Sequence, residues 1–95
     1  MAAPDEPAPP NPFVWTDEEQ RQHERALDRI SAMMVESLAQ GRLTNDPAER
    51  AAFEAWRVRL DHERKTLGVH DHAEIERIIT EYDKQLRAWR AARGR

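Results

Sequence analysis

A group of histidines and acids beyond the middle of the chain could, by residue type, bind a metal. His70 and His72 flank Asp71 in the sequence, and imidazole and carboxylate ligands suit zinc, nickel or iron. Ligating histidines on a helix are normally three or four residues apart, on one face, whereas these two are only two apart. Since Asp71 also fits a helix cap, we predict solvated histidines and no metal site in this chain.

Acidic residues are numerous, but their spacing indicates a surface and not a catalytic pair. A carboxyl group that acts as a general acid needs a raised pKa in a desolvated cleft. Here acids stand at helical spacing from cations, as Asp61 does from Lys65 and Glu81 from Lys84, which is typical of a solvated, ion-paired face. The chain also has no cysteine and no glycine-rich phosphate loop. We therefore predict no complete active site within it.

Residues 84–95 gather cations around one aromatic side chain. The cations are Lys84, Arg87, Arg90, Arg93 and Arg95, with Trp89 among them. Such a helix end can bind the phosphates of a nucleic acid. Cations also stabilise a helix C-terminus through the macrodipole, which is the alternative explanation. Because the formal net charge is -3, nucleic-acid binding is the less favoured interpretation, and an acidic protein surface is an alternative partner.

The elements that must position these residues are three predicted helices, over about residues 16–40, 46–67 and 71–92. Three residues, each followed by a glutamate at capping-box spacing, are the expected N-caps. They are Thr16, Asp46 and Asp71. Pro47 suits the first position of the second helix. Gly41 and Gly68 are expected to end the first two helices in the left-handed conformation.

Apolar residues recur at steps of three and four in each predicted helix, so that each set lies on one face. The first set is Leu27, Ile30, Met34 and Leu38, with Ala26 and Met33 beside it; the second is Phe53, Trp56, Leu60 and Leu67; the third is Ile75, Ile79, Tyr82, Leu86 and Trp89, widened by Ile78. Short connections favour antiparallel neighbours. We predict an all-α protein with a three-helix arrangement.

At 95 residues the chain has room for one domain. Residues 1–12 are proline-rich and are predicted to form a disordered arm, and residues 13–95 a single helical domain. Phe13 and Trp15 precede the first helix, and Trp15 is expected to fold back onto it as a hydrophobic staple. No apolar run is long enough to span a membrane, so we expect a cytoplasmic protein without a membrane partner.

The first turns of the first helix, residues 16–25, contain no apolar side chain. Such a stretch cannot be stabilised by burial of its own face. It is therefore expected either to project into solvent or to rest on another protein.

Residues 53–76, FEAWRVRLDHERKTLGVHDHAEIE, resemble the end of the helical N-terminal region of nitrile hydratase β subunits and of the related accessory proteins. In that family an aromatic residue precedes a tryptophan by three positions, a leucine follows by four, and a small residue ends the helix. Phe53, Trp56, Leu60 and Gly68 occupy these positions. The chain departs from the family pattern in having Ala52-Phe53 in place of the usual tyrosine pair and a longer first helix.

The resemblance implies a subunit that does not hold the catalytic metal. In nitrile hydratases a separate, cysteine-rich α subunit binds cobalt or iron, and water adds to a nitrile there to give an amide. This chain would then be a piece of a split β subunit or an accessory protein, with no cofactor of its own. Arg50 is the nearest match to a family arginine that hydrogen-bonds the oxidised cysteine ligands of the α subunit, a task that suits a guanidinium.

Predicted partner-binding residues are Phe13, Trp15, Phe53, Trp56, Arg87 and Arg90. The chain alone is not expected to be an enzyme, although it could be a subunit of a lyase of the nitrile hydratase type. The alternative function is a stand-alone helical interaction module, such as an antitoxin, regulator or adaptor. Nucleic-acid binding is the third interpretation.

Overall fold

A computed structural model describes residues 13–94 as three α-helices and short connections. The helices are α1 (Asp17–Leu43), α2 (Pro47–Thr66) and α3 (His72–Arg93). Residues 13–94 contain no β-strand, so the prediction of an all-α, three-helix arrangement is confirmed. The predicted disordered arm, residues 1–12, lies outside the described residues.

The first helix packs against both of the others. The end of α2 returns to the beginning of α1, where the Nε2 of His23 donates to the carbonyl oxygen of Leu67 at 2.9 Å. The end of α3 lies beside the end of α1, where Gln40 donates to the carbonyl oxygen of Trp89 at 2.8 Å. The two outer helices stand further apart, since no Cα of α2 lies within 8 Å of a Cα of α3. Side chains of both helices meet across the space between them.

One of the three predicted capping boxes forms as expected. The Thr16 hydroxyl accepts from the amide of Glu19, and the Glu19 carboxylate accepts from the amide of Thr16. Asp46 and Asp71 occupy the predicted N-cap positions of α2 and α3, but neither forms a capping box. Asp46 does cap α2, but through the amide of Ala48, because Glu49 bonds the Thr44 hydroxyl instead.

At the start of α3, Asp71 makes no side-chain cap hydrogen bond to the helix. Its carboxylate accepts from the amide of Gly68 at 2.7 Å and so closes the α2–α3 turn. This hydrogen bond stabilises the turn before the helix begins.

The predicted left-handed glycines are also wrong, since no described glycine has a positive φ. Gly41 lies inside α1, which continues to Leu43. It is buried, and a Cβ added there would lie 3.7 Å from the Cβ of Phe53. Gly41 therefore serves close packing of α1 on α2 and not helix termination. Gly68 follows the end of α2, which terminates at Thr66.

The core consists of eight buried apolar side chains from all three helices. They are Ala26, Ile30, Met33, Leu60, Ile75, Ile78, Tyr82 and Leu86. On α1 the buried face continues through Ser37 and Gly41 and not through the predicted Leu38, which is 38% exposed. The shift arises because α1 lies between two helices, and small residues on the face between them let both approach.

The polar start of α1 rests on the connection between α2 and α3. His72 donates to the Glu19 carboxylate at 2.7 Å, and His70 donates to the carbonyl oxygen of Val14 at 2.9 Å. The pKa of Glu19 is lowered, first by the amide of Thr16 and then by His72. Most of residues 16–25 are exposed to solvent, as one of the two expectations has it. Glu19 and His23 are exceptions, because they contact other parts of the same chain.

None of the described helices is both long enough and apolar enough to cross a lipid bilayer.

Replacement of Ile30 by alanine tests the assignment of the core. Ile30 is fully buried, so Ile30→Ala should lower the free energy of unfolding by about 2–5 kcal/mol. The matched control is Val58→Ala at an exposed position of α2, which should change it by less than about 0.5 kcal/mol. Urea denaturation followed by circular dichroism measures both. Equal effects of the two substitutions would contradict the assigned core.

Candidate protein-docking site

Four aromatic side chains bridge the space between α2 and α3, and we call them the aromatic ladder: Phe53, Trp56, Tyr82 and Trp89. The ring centroids of Phe53 and Trp89 are 5.6 Å apart and those of Trp56 and Trp89 are 5.9 Å apart, with interplanar angles of 75° and 88°. Trp56 meets Tyr82 at 6.3 Å. Edge-to-face pairs of this kind each contribute about 0.5–1.5 kcal/mol beyond the area that they bury.

At the end of α1 the ladder borders an open groove of about 660 Å³, which we call the aromatic groove. Its lining residues are Gln40, Leu43, Thr44, Asn45, Glu49, Ala52, Phe53, Trp56, Gln85 and Trp89. Leu43 stands at its edge and is 62% exposed. The two tryptophans and Phe53 are only partly buried. Aromatic surface that remains accessible beside an exposed leucine is typical of a protein-binding site.

A second groove, of about 310 Å³, adjoins the first and shares Phe53 with it. We call it the arginine groove, because Arg42, Arg50 and Arg57 line it. Its only acidic lining residue is Glu54, which lies 3.7 Å from Arg57. The guanidinium of Arg50 donates to the carbonyl oxygen of Thr44 at 2.9 Å. The arginine groove is therefore cationic, with an apolar floor.

The opposite end of the α2–α3 space is closed by a polar network. Tyr82 donates a short hydrogen bond to Glu63, and Arg77 pairs with Glu63, Glu74 and Glu81 at 3.0 Å each. Burial, and then the Glu63 carboxylate, raise the pKa of Tyr82 to about 12. The carboxylates around Arg77 raise the pKa of its guanidinium. This network holds the ladder at one end and leaves the aromatic groove open at the other.

The basic end of α3 has a partner that the sequence interpretation missed. Glu36 of α1 is 3% exposed, and its carboxylate lies 3.3 Å from Arg93 and 3.9 Å from Arg90. Arg87 donates to the carbonyl oxygen of Asp83 in its own helix. The pairing with Glu36 joins α3 to α1 and neutralises part of the charge that a phosphate would need.

The structure brings only some of the predicted partner-binding residues together. Phe53 and Trp56 lie in the aromatic groove, and Arg50 lies in the arginine groove beside it. Phe13 and Trp15 lie at the other end of α1. The Trp15 indole donates to Gln20 at 3.4 Å and is 45% exposed, so its contact with the helix is polar and not the predicted hydrophobic staple.

The sequence interpretation missed two residues of the groove. Leu43 lay beyond the predicted end of the first helix, and Trp89 was assigned to the core or to a cationic helix end and not to a protein-binding groove. The longer α1 places Leu43 next to the aromatic ladder.

His23, His70 and His72 make hydrogen bonds to the chain, and within residues 13–94 no group of three or more histidines and acids is arranged to hold a metal ion. The predicted surface pair between Asp61 and Lys65 forms at 2.7 Å. The predicted surface pair between Glu81 and Lys84 does not form, because Glu81 pairs with Arg77 instead.

Comparison with protein-family models, curated proteins and solved structures gives no significant match. The resemblance of residues 53–76 to nitrile hydratase β subunits therefore stays a prediction that rests on the sequence pattern. The grooves are interpreted below from their own chemistry.

The raised pKa of Tyr82 predicts how stability depends on alkaline pH. Tyr82 is the only tyrosine, so the near-ultraviolet absorbance of phenolate reports it alone. Its midpoint should be about 12 in the folded protein, against an ordinary value of 10.0 in denaturant. Because the folded value is the higher one, its contribution to the free energy of unfolding is complete below pH 10.0 and decreases up to about pH 12.

Glu63→Gln should lower the midpoint of Tyr82 in the folded protein, since it removes the charge that the hydroxyl faces. Glu81→Gln is the matched control, because Glu81 contacts Arg77 and makes no hydrogen bond to Tyr82. Circular dichroism of the same samples verifies that the chain is folded. A folded-state midpoint near 10.0 would show that the network is not formed.

Proposed function

We propose that this chain is a non-catalytic, cytoplasmic helical subunit that binds a partner protein through the aromatic groove. The observation that carries the proposal is the accessible aromatic surface of Phe53, Trp56 and Trp89 beside exposed Leu43. Tryptophan and arginine beside an apolar floor are the residue types that dominate binding energy at protein interfaces.

The shape of the groove favours a partner segment with an apolar anchor. The groove is lined by Phe53, Trp56 and Trp89 of the aromatic ladder and also by Asn45 and Gln85, whose carboxamides can hydrogen-bond a partner backbone. The arginine groove continues this surface and adds charge at its edge. An apolar centre with a polar, hydrogen-bonding rim is the usual anatomy of a protein interface.

For the identity of the partner we propose the cysteine-rich α-type subunit of a nitrile hydratase-like complex, which hydrates a nitrile to an amide. The support is the sequence pattern of residues 53–76, and two of the pattern residues, Phe53 and Trp56, line the groove. On this proposal cobalt or iron is held by the partner. Arg50 lies in the adjoining groove, where a guanidinium could donate to oxidised cysteine ligands of the partner.

Copurification tests the proposal. Tagged chain is coexpressed with an α-type subunit encoded beside its gene, and nitrile hydration by each chain and by the complex is measured. We expect a stable complex and activity only when both chains are present. Leu43→Glu should reduce capture of the α-type subunit at least tenfold, since it places an unpaired charge in an apolar interface.

The matched control is Val58→Glu, which adds the same charge at an exposed residue outside both grooves, and it should leave capture unchanged. Full activity of the α-type subunit alone, or the absence of such a subunit from the genome, would exclude the nitrile hydratase assignment. Equal capture of the α-type subunit by Leu43→Glu and Val58→Glu would exclude the aromatic groove as the binding surface. Binding of a different protein that is lost only in Leu43→Glu would favour the stand-alone interaction module.

A further inference from the structure

The segment just before the described residues has a composition that fits the two grooves. Residues 4–12 read PDEPAPPNP and contain five prolines and two acids. Proline fixes φ near the value of the polyproline II helix, so such segments lose little entropy when they bind. Proline-rich segments are recognised by grooves lined with aromatic side chains.

The aromatic groove offers the surfaces that a proline-rich segment needs. Trp56 and Phe53 each meet Trp89 nearly at right angles, and all three rings line the groove. One face of Trp56 is covered by the guanidinium of Arg59, 4.1 Å from the ring centroid. The segment has few backbone donors because proline lacks an N–H, so its exposed polar groups are mainly carbonyl oxygens. The carboxamides of Asn45 and Gln85 line the groove and can donate to such carbonyls.

The adjoining arginine groove complements the two acids of the segment. Arg42 makes no hydrogen bond or ion pair with any residue of 13–94, and Arg57 has only the long contact to Glu54. Asp5 and Glu6 lie at the beginning of the proline-rich segment, so they can reach the arginine groove when the prolines lie on the aromatic groove. Phe53 belongs to both grooves and joins them.

The length of α1 decides whether the segment can bind the grooves of its own chain or only those of a second copy of the chain. The 27 residues of α1 place its two ends about 40 Å apart, at 1.5 Å per residue. Residues 4–12 precede Phe13, at the beginning of α1, and a polyproline helix of that length spans only about 28 Å. The segment is therefore too short to cover the groove at the far end of its own α1.

We propose that residues 4–12 of one copy of this chain bind the joined aromatic and arginine grooves of a second copy. The contact exchanges arms between copies, and each copy offers both an arm and a groove. A partner protein that binds the aromatic groove would compete with this self-association. The proposal does not depend on the identity of that partner, because it concerns the purified chain alone.

Sedimentation equilibrium of the full chain over a wide concentration range tests the proposal. The average mass should rise above the one-chain value of 11.1 kDa as the concentration increases. Two variants should stay at that value: a groove variant, Leu43→Glu, and an arm variant, Pro7→Ala with Pro9→Ala and Pro10→Ala. Val58→Glu is the control for added surface charge, and it should associate as the unaltered chain does.

Mixing the two variants gives the sharpest readout. The arm variant keeps an intact groove and the groove variant keeps an intact arm, so an equimolar mixture should regain a two-chain species that neither forms alone. High salt should weaken it, because the acids and arginines contribute. A chain that stays at one-chain mass throughout, or an arm variant that associates normally, would overturn the proposal. Association that is lost only in Leu43→Glu would show instead that two grooves pair with each other.

Discussion

The distance between α2 and α3 is the constraint on which the rest of this molecule depends. Both helices pack on α1, and no Cα of one lies within 8 Å of a Cα of the other. Two tryptophans, a phenylalanine and a tyrosine meet across the space between them. The aromatic ladder therefore has two roles. It stabilises the pair of outer helices, and it exposes aromatic surface where the helices leave the bundle open.

Polar contacts hold the start of α1 and the end of α3 in place. The start of α1 is held by His23, His70 and His72 through hydrogen bonds to carbonyl and carboxylate oxygens. The end of α3 is held by buried Glu36 and its two arginines. Burial of a carboxylate is costly unless it is paired, so the arginines at the end of α3 compensate a charge inside this chain. That internal role reduces their availability for nucleic acid.

The two ends of the space between α2 and α3 differ in chemistry, and this difference directs the interpretation of function. One end is closed by Tyr82, Glu63 and Arg77. The other end is open, aromatic and bordered by cations that have few internal partners. A surface of that kind binds a segment of protein more readily than a small polar substrate, since it is broad and has an accessible apolar floor. The proposals for a partner and for the exchanged arm both arise from it.

Much of the fold could be predicted from local sequence. Helical periodicity, Thr16 with Glu19, and Pro47 placed the three helices, because these signals act within a few residues of the chain. The end of α1 could not be predicted in this way. Gly41 has the residue type of a helix terminator, but burial against Phe53 makes its small size useful inside the helix.

Only part of the candidate site could be predicted from the sequence. The pattern around Phe53 and Trp56 marked them as unusual, and both line the aromatic groove. Three other residues owe their roles to contacts with residues distant in the chain: Leu43, Trp89 and buried Glu36. Such contacts cannot be predicted from the periodicity of the sequence. The sequence by itself determined which segments are helical and which face of each is apolar, since those depend on local spacing. Only the tertiary structure decided how far apart the helices lie, and that separation created both the ladder and the groove.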